Sequence, residues 1–150
     1  MKSLLDYIKE DFATPMNTMG MGGITNQEVN GFAILKPGFC DHEDEWCKML
    51  NNKGWNIVQK KKLKLTPETA KALYSMHKSK PFYKDLCDYM SSDYCICATC
   101  HKLCSDPIGD MKSVKDTVRK EWGIDDMKNA MHSSDSMDNV KREYGLIFEK

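Results

Sequence analysis

Apolar residues return along this chain with two different periods, and the changes of period divide it. Leu4, Leu5, Ile8 and Phe12 recur at helical spacing, so 3–12 reads as a short amphipathic helix. From Ala13 to Asn30 no period is sustained and Met, Gly, Thr and Asn dominate, the composition of an extended arm or linker. A short apolar run, Gly31 to Leu35, then ends at Lys36-Pro37-Gly38 and predicts a buried strand. Asp41 stands where a helix cap is expected. Glu43, Asp44 and Glu45 follow in the first turn, Trp46, Met49 and Leu50 form the apolar face, and Gly54 ends the helix. Trp55 to Leu65 reads as a strand whose Lys60 to Lys62 lie on an exposed face.

Thr66-Pro67-Glu68 is a helix start, with a capping hydroxyl, proline at the first helical position and then an acid. Ala70, Leu73, Tyr74 and His77 continue one face of it. Pro81-Phe82-Tyr83 breaks the chain before a second short helix that runs to about Met90. Residues 93–100 form a further strand. Residues 101–118 read as irregular, with Asp106-Pro107 and Gly109 as turn signals, and Ser136 caps a last helix through Val140, Tyr144 and Phe148. Strands alternating with helices in this order predict an α+β sandwich on a mostly antiparallel sheet.

The 150 residues suit one domain, and 41% hydrophobic against 29% charged residues supports a packed core. Lys and Arg total 22 and Asp and Glu total 22, which speaks against a nucleic-acid partner held by bulk positive charge. No apolar run is long enough for a membrane span and the N-terminus lacks a secretory pattern, so the expectation is a cytoplasmic protein with free thiols.

Seven cysteines change the picture only briefly. Cys97 to His101 matches the C-x-x-C-H pattern of haem attachment, and the thiols invite a metal. There is no second C-x-x-C, and on a strand Cys97 and Cys100 point to opposite faces, so strand-core packing is the better reading and no metal site is expected. The run His132-Ser133-Ser134-Asp135 could suggest a hydrolase, but the members of a catalytic triad normally meet through the fold rather than side by side. A histidine held by a turn before the capped helix fits better. Glu143, on the second turn of that helix, can orient one imidazole nitrogen and leave the other as a nucleophile.

Asn129-Ala-Met-His132-Ser-Ser-Asp-Ser136 resembles the N-x-x-H-G-S-D-S signature of nucleoside diphosphate kinases. Three further segments match in the same order. They are Ala33 to Gly38, the run from Leu73-Tyr74 through His77, Pro81-Phe82-Tyr83 and Leu86 to Tyr89-Met90, and Thr117-Val-Arg119. The resemblance implies a ferredoxin-like α+β sandwich, with a four-stranded antiparallel sheet covered by helices, over 31–150, and leaves 1–30 as an arm. It implies ping-pong transfer of a γ-phosphate through His132, which Glu143 and Ser134 would orient. Lys36, Tyr74 and Arg119 would hold the transferred phosphates, Asn129 the ribose, and Phe82 and Leu86 the base. Mg²⁺ would arrive on the nucleotide phosphates, and the chain would be a homo-oligomer, dimer or higher, with no nucleic-acid or membrane partner. Stacking on Phe82 would be tolerant of the base.

This chain also departs from the family pattern. Ser133 replaces a glycine, and the loop after Lys36 is about two residues short. The stretch from Cys100 to Arg119 is about eight residues short and reads as having lost the helix found there, which puts the common hexamer in doubt. Ser105 would replace a phosphate-contacting threonine. A phosphate-contacting arginine has no counterpart but Lys102, and Asp126 stands where an apolar residue often covers the base. The alternative is therefore a catalytically weakened nucleotide-binding or regulatory module of the same fold.

Overall fold

The computed structural model describes residues 27–149. The helix and arm expected before residue 27 lie outside the described residues. Strand β1 (Gln27–Leu35) is followed by a 3₁₀ turn at Cys40–His42 and by helix α1 (Glu43–Asn52). Strand β2 (Asn56–Leu63) precedes helix α2 (Pro67–Leu73), a 3₁₀ turn at Ser75–His77 and helix α3 (Tyr83–Met90). Strand β3 (Cys95–Cys104), helix α4 (Pro107–Trp122), strand β4 (Met131–Ser133) and helix α5 (Met137–Phe148) complete the order. The sheet runs β2-β3-β1-β4 with every neighbouring pair antiparallel. This is the ferredoxin-like α+β fold.

Side-chain alternation on the two central strands divides the core. From β1, Val29, Ala33 and Leu35 face one way, into a cluster with Trp46, Leu50, Trp55, Met111, Val114 and Val118 under α1 and α4. Phe32 and Ile34 face the other, into a cluster with Leu73, Tyr74, Leu86, Met90, Val140 and Ile147 under α2, α3 and α5. Covered on both faces, β1 reads as a continuous apolar run rather than an alternating one. Gly31 is needed for close approach: a Cβ there would lie 2.9 Å from the Met111 side chain and 3.1 Å from the Trp55 ring. The cysteines follow the same rule. Cys95 and Cys97 lie in one cluster, Cys100 and Cys104 in the other, so the C-x-x-C thiols stand on opposite faces of the sheet.

The helix starts obey local chemistry. Thr66 Oγ1 accepts from the N–H of Thr69 (3.1 Å) and Ser136 Oγ from that of Asn139 (3.1 Å), as expected. Four expectations are corrected. Asp41 makes no cap; it sits inside the 3₁₀ turn, and α1 starts at Glu43 without a side-chain cap bond. Residues 27–30, expected at the end of the arm, form the first part of β1, because Gln27 to Asn30 pair with His101 to Cys104. Residues 101–118, expected to be irregular and to have lost a helix, instead carry the end of β3 to Cys104 and most of α4, a 16-residue helix begun by Asp106, whose carboxylate accepts from the N–H of Gly109 (3.0 Å), with Pro107 at its first turn. The turn signals are helix-start signals. His132 lies on a short edge strand rather than in a turn; three residues are too few to show a period.

Candidate active site

One end of the sheet carries the polar residues. Lys36 leaves the end of β1, and its N–H donates to the carbonyl of Ala130 (2.8 Å), while the N–H of Ser134 donates to that of Phe32 (3.2 Å). These bonds continue the β1–β4 ladder and fix β4 beside Ile34. Ala130, directly before β4, has φ of 79°, a left-handed backbone unusual for a residue with a Cβ. A turn held in that state delivers Met131 and His132 to the edge of the sheet.

His132 is clamped from one side. Its Nε2–H donates to Oε1 of Glu143 (2.7 Å), and the Ser134 hydroxyl donates to the same oxygen (2.9 Å). Glu143 is only 1% exposed, and the Arg142 guanidinium stands 3.7 Å from its other oxygen. Arg142 is itself anchored, donating to the carbonyls of Ala72 (2.7 Å) and Leu73 (3.1 Å) at the end of α2. The carboxylate thus assigns the proton to Nε2 and leaves the Nδ1 lone pair facing out. Tyr74 covers that side: its hydroxyl is 3.4 Å from Nδ1 and its ring meets the imidazole edge-on at 5.3 Å. Burial, with Glu143 next in effect, pushes the Tyr74 phenol well above its ordinary value, so it remains a neutral donor.

His132 opens onto a cleft of about 500 Å³, in the range of small-molecule sites. Lys36, Lys115 and Arg119 line it on one side, and Phe82, Leu86 and His77 on another. Lys36 is 4% exposed. Burial, then the charges of Arg119 and Lys115, lower its ammonium pKa to about 7, with Asp125 opposing. Burial also lowers Lys115 and Arg119 below their ordinary values. Nζ of Lys36 donates to the Met127 carbonyl (3.3 Å) and Nε of Arg119 to that of Met131 (3.1 Å). Cations pressed together out of water disfavour their own charge, and a polyanion relieves that cost.

The rings form a path outward. Tyr74 is followed by His77 at 6.4 Å between centroids, and His77 by Phe82 at 5.4 Å. Phe82 is 43% exposed at the rim, with Leu86 buried beneath. Asn129 lines the cleft with Nδ2 donating to the Asp126 carbonyl (2.7 Å), while its Oδ1 is buried with no hydrogen-bond partner. Such an orphaned acceptor suits a hydroxyl donor from a ligand.

Of the residues expected at the site, His132, Lys36, Tyr74, Glu143, Phe82, Leu86, Arg119 and Asn129 line this cleft, and Ser134 supports it from beneath. Ser105 does not. It follows the last residue of β3, paired with Gln27 at the far end of β1, whereas Lys36 follows Leu35 at the near end. Eight residue steps of extended strand separate the two ends by about 26 Å. Lys102 is at the far end as well, paired with Asp110 (2.8 Å). The lining residues not named among the expected site residues include His77 and Lys115. His77 sits three positions after Tyr74, and Lys115 four positions before Arg119. The spacing already puts His77 on the helical face of Tyr74, whereas reading 101–118 as irregular hides Lys115.

Among the described residues no group of three or more His, Cys, Asp or Glu could hold a metal ion, and no helix is long and apolar enough to cross a membrane.

The family model for nucleoside diphosphate kinase matches residues 30–150. The nucleoside diphosphate kinase of Chloroherpeton thalassium is 31% identical over 129 residues, covering 77% of this chain and 89% of its own. That of Thermosipho africanus is 33% identical over 127 residues, covering 78% and 86%. Nucleoside diphosphate kinase homolog 5 of Homo sapiens is 32% identical over 127 residues, 77% of this chain and 60% of its own. Among solved structures, the enzyme from Encephalitozoon cuniculi superposes with a TM-score of 0.74 at 20% identity over 81% of this chain and 89% of its own, a likeness of fold. The Aquifex aeolicus enzyme gives 0.65 at 27% identity over 81% and 95%. A cleft with three cations in its lining around a clamped histidine, a family match from residue 30 onward and relatives above 30% identity agree: the chain belongs to the nucleoside diphosphate kinase family.

Proposed function

We propose that this protein transfers the γ-phosphate of a nucleoside triphosphate to a nucleoside diphosphate through phosphohistidine at His132. The observation that carries the reading is the clamp: Nε2 is committed to Glu143 and Nδ1 faces a cleft lined by Lys36 and Arg119. In the first half-reaction the Nδ1 lone pair forms a bond to Pγ as the bond from Pγ to the β,γ-bridging oxygen breaks. The nucleoside diphosphate leaves with that electron pair. Glu143 and Ser134 stabilise the imidazolium charge that develops, since the Nε2 proton is never lost. In the second half-reaction a terminal phosphate oxygen of another nucleoside diphosphate attacks the phosphohistidine, and Nδ1 takes back its lone pair.

Catalysis here is mainly positioning and charge stabilisation. Lys36 and Arg119 neutralise phosphate oxygens, and Tyr74 donates its hydroxyl to the group in flight. Lys36, Lys115 and Arg119 suit phosphate oxygens, and the lining carboxylates Asp126, Asp135 and Glu143 form no metal-holding group among the described residues, so Mg²⁺ would arrive on the nucleotide substrate. Asn129 Oδ1 accepts from the ribose, and the base stacks on Phe82 above Leu86. Stacking reads a flat face with little regard to the base. The family likeness also carries the expectation of a homo-oligomer, dimer or higher, which light scattering of the full chain checks.

The test is incubation with γ-³²P-labelled ATP and Mg²⁺. An acid-labile label that H132Q lacks, and that added GDP removes as labelled GTP, is the expected result. Nucleotide binding without such a label overturns the kinase reading in favour of a module that binds and does not turn over.

A further inference from the structure

The sequence pattern does not announce helix α4, and its rotation about its own axis is set by the core. Met111, Val114 and Val118 are buried beneath it. With these residues turned inward, Lys115 and Arg119, each one position further on, fall on the neighbouring flank, where both line the cleft. They are one turn apart, and Lys36 stands close enough to feel both charges. Three cations thus converge from two elements.

Their order along the cleft can be read from β4. Arg119 is bonded to the carbonyl of Met131, immediately before His132. Lys115 has Asp135, three residues after His132, among its charged neighbours, and Asp135 also lines the cleft. Both side chains line the cleft that His132 opens onto. Among the described residues Lys115 makes no ion pair within 4.0 Å, whereas Lys102 on β3 and Lys84 and Lys112 on exposed helix flanks do. A half-buried ammonium beside a guanidinium and a buried lysine is unfavourable unless an anion is bound between them.

We propose that Lys115 is a phosphate-binding residue of this cleft, contacting the oxygens of the phosphoryl group that faces His132. It rests on the proposed nucleotide reading of the site. It makes α4, and not the end of β3 where Ser105 and Lys102 lie, the source of the further phosphate contact.

The test measures affinity on the full chain with Mg²⁺ and three ligands: a β,γ-imido triphosphate, ADP and adenosine. K115Q is expected to weaken the triphosphate analogue about tenfold or more, ADP less, and adenosine not at all. K115R is expected to recover affinity to within about threefold, since a guanidinium can supply the same contact. A thermal midpoint in K115Q that does not fall, monitored alongside, shows that the loss is one of contact. Triphosphate affinity within about twofold of wild type in K115Q, or an equal loss for all three ligands, overturns the proposal. The two readings fail differently. Wild-type protein that binds nucleotide but never labels His132 removes the kinase reading and leaves the Lys115 series to be judged alone. Wild-type protein that binds no nucleotide removes both.

Discussion

The face of the sheet beneath α1 and α4 and the cleft at the end of β1 are built from the same strands and solve opposite problems. Beneath the helices, Trp46, Leu50, Trp55, Met111 and Val114 are almost wholly buried and apolar, and Gly31 is bare so that Trp55 and Met111 can close over it. At the cleft, Lys36, Ser134 and Glu143 are buried to a similar degree and are polar or charged. Burial of the first kind is favourable outright. Burial of the second kind costs free energy that only paired hydrogen bonds and a bound anion offset. One face of the molecule is therefore arranged for stability, and the cleft, on the proposed reading, for affinity.

The comparison is tested most sharply at His132. H132Q should reduce phosphotransfer by at least about four orders of magnitude, measured by a coupled assay. Its thermal midpoint should stay near that of wild type. A large loss of stability would show that the clamp holds the fold together rather than the nucleophile.

Leu50→Ala should do the reverse, costing about 2–5 kcal/mol of stability in urea unfolding through the cavity it leaves. Nucleotide affinity of the folded protein should be unchanged. E143Q comes next: about 10–100-fold slower labelling of His132 in rapid-quench experiments, because the amide cannot stabilise the imidazolium as a carboxylate does.

Lys36 gives the pH dependence. Its pKa of about 7 in the empty cleft lies below the ordinary lysine value, so the charged form is disfavoured there until an anion arrives. On the proposed reading nucleotide binds the ammonium form. Affinity should therefore be full below about pH 7 and fall as pH rises above it, by up to about tenfold per unit, over a range where phosphate ionisation is already complete. The empty protein should gain stability over the same rise, since the unfolded chain keeps the proton to higher pH. K36M should bind weakly with a flat profile; a profile as steep as that of wild type would assign the titration elsewhere.

The smallest effect is expected at Ala130. A glycine accepts φ of 79° without a steric penalty, so A130G should stabilise the protein slightly, by about 1 kcal/mol or less after the added chain entropy is counted. A loss of more than that would mean the Ala130 side chain, which is fully buried, matters more to the core than the turn does.

Much of the fold and of the cleft is legible in the order of residues. Thr66 and Ser136 announce their helices because a hydroxyl cap acts within three residues. The strand-face reading of Cys97 and Cys100 follows from a period of two, and the thiols do fall in different clusters. The motif spacing picks out most of the cleft. Signals with two meanings are where the reading fails. Asp106-Pro107 is a turn dipeptide and also a cap followed by a first-turn proline, and only the packing of Met111, Val114 and Val118 on the sheet decides for a helix. Ser105 and Lys102 are close in sequence to the right segment, yet antiparallel pairing carries them to the opposite end of β3.

The sequence by itself determined most of the element types, α4 and β4 excepted, and the two-sided burial of the central strands, because propensity, capping and periodicity act over a few neighbours. Tertiary structure alone decided which residues meet. His132 joins Glu143, Lys36 and Tyr74 only because β4 docks on β1, α5 folds back beneath it and α2 lies alongside. The direction in which α4 lies over the sheet decided that Lys115 faces the cleft, and no local pattern encodes a contact between elements so far apart in the chain.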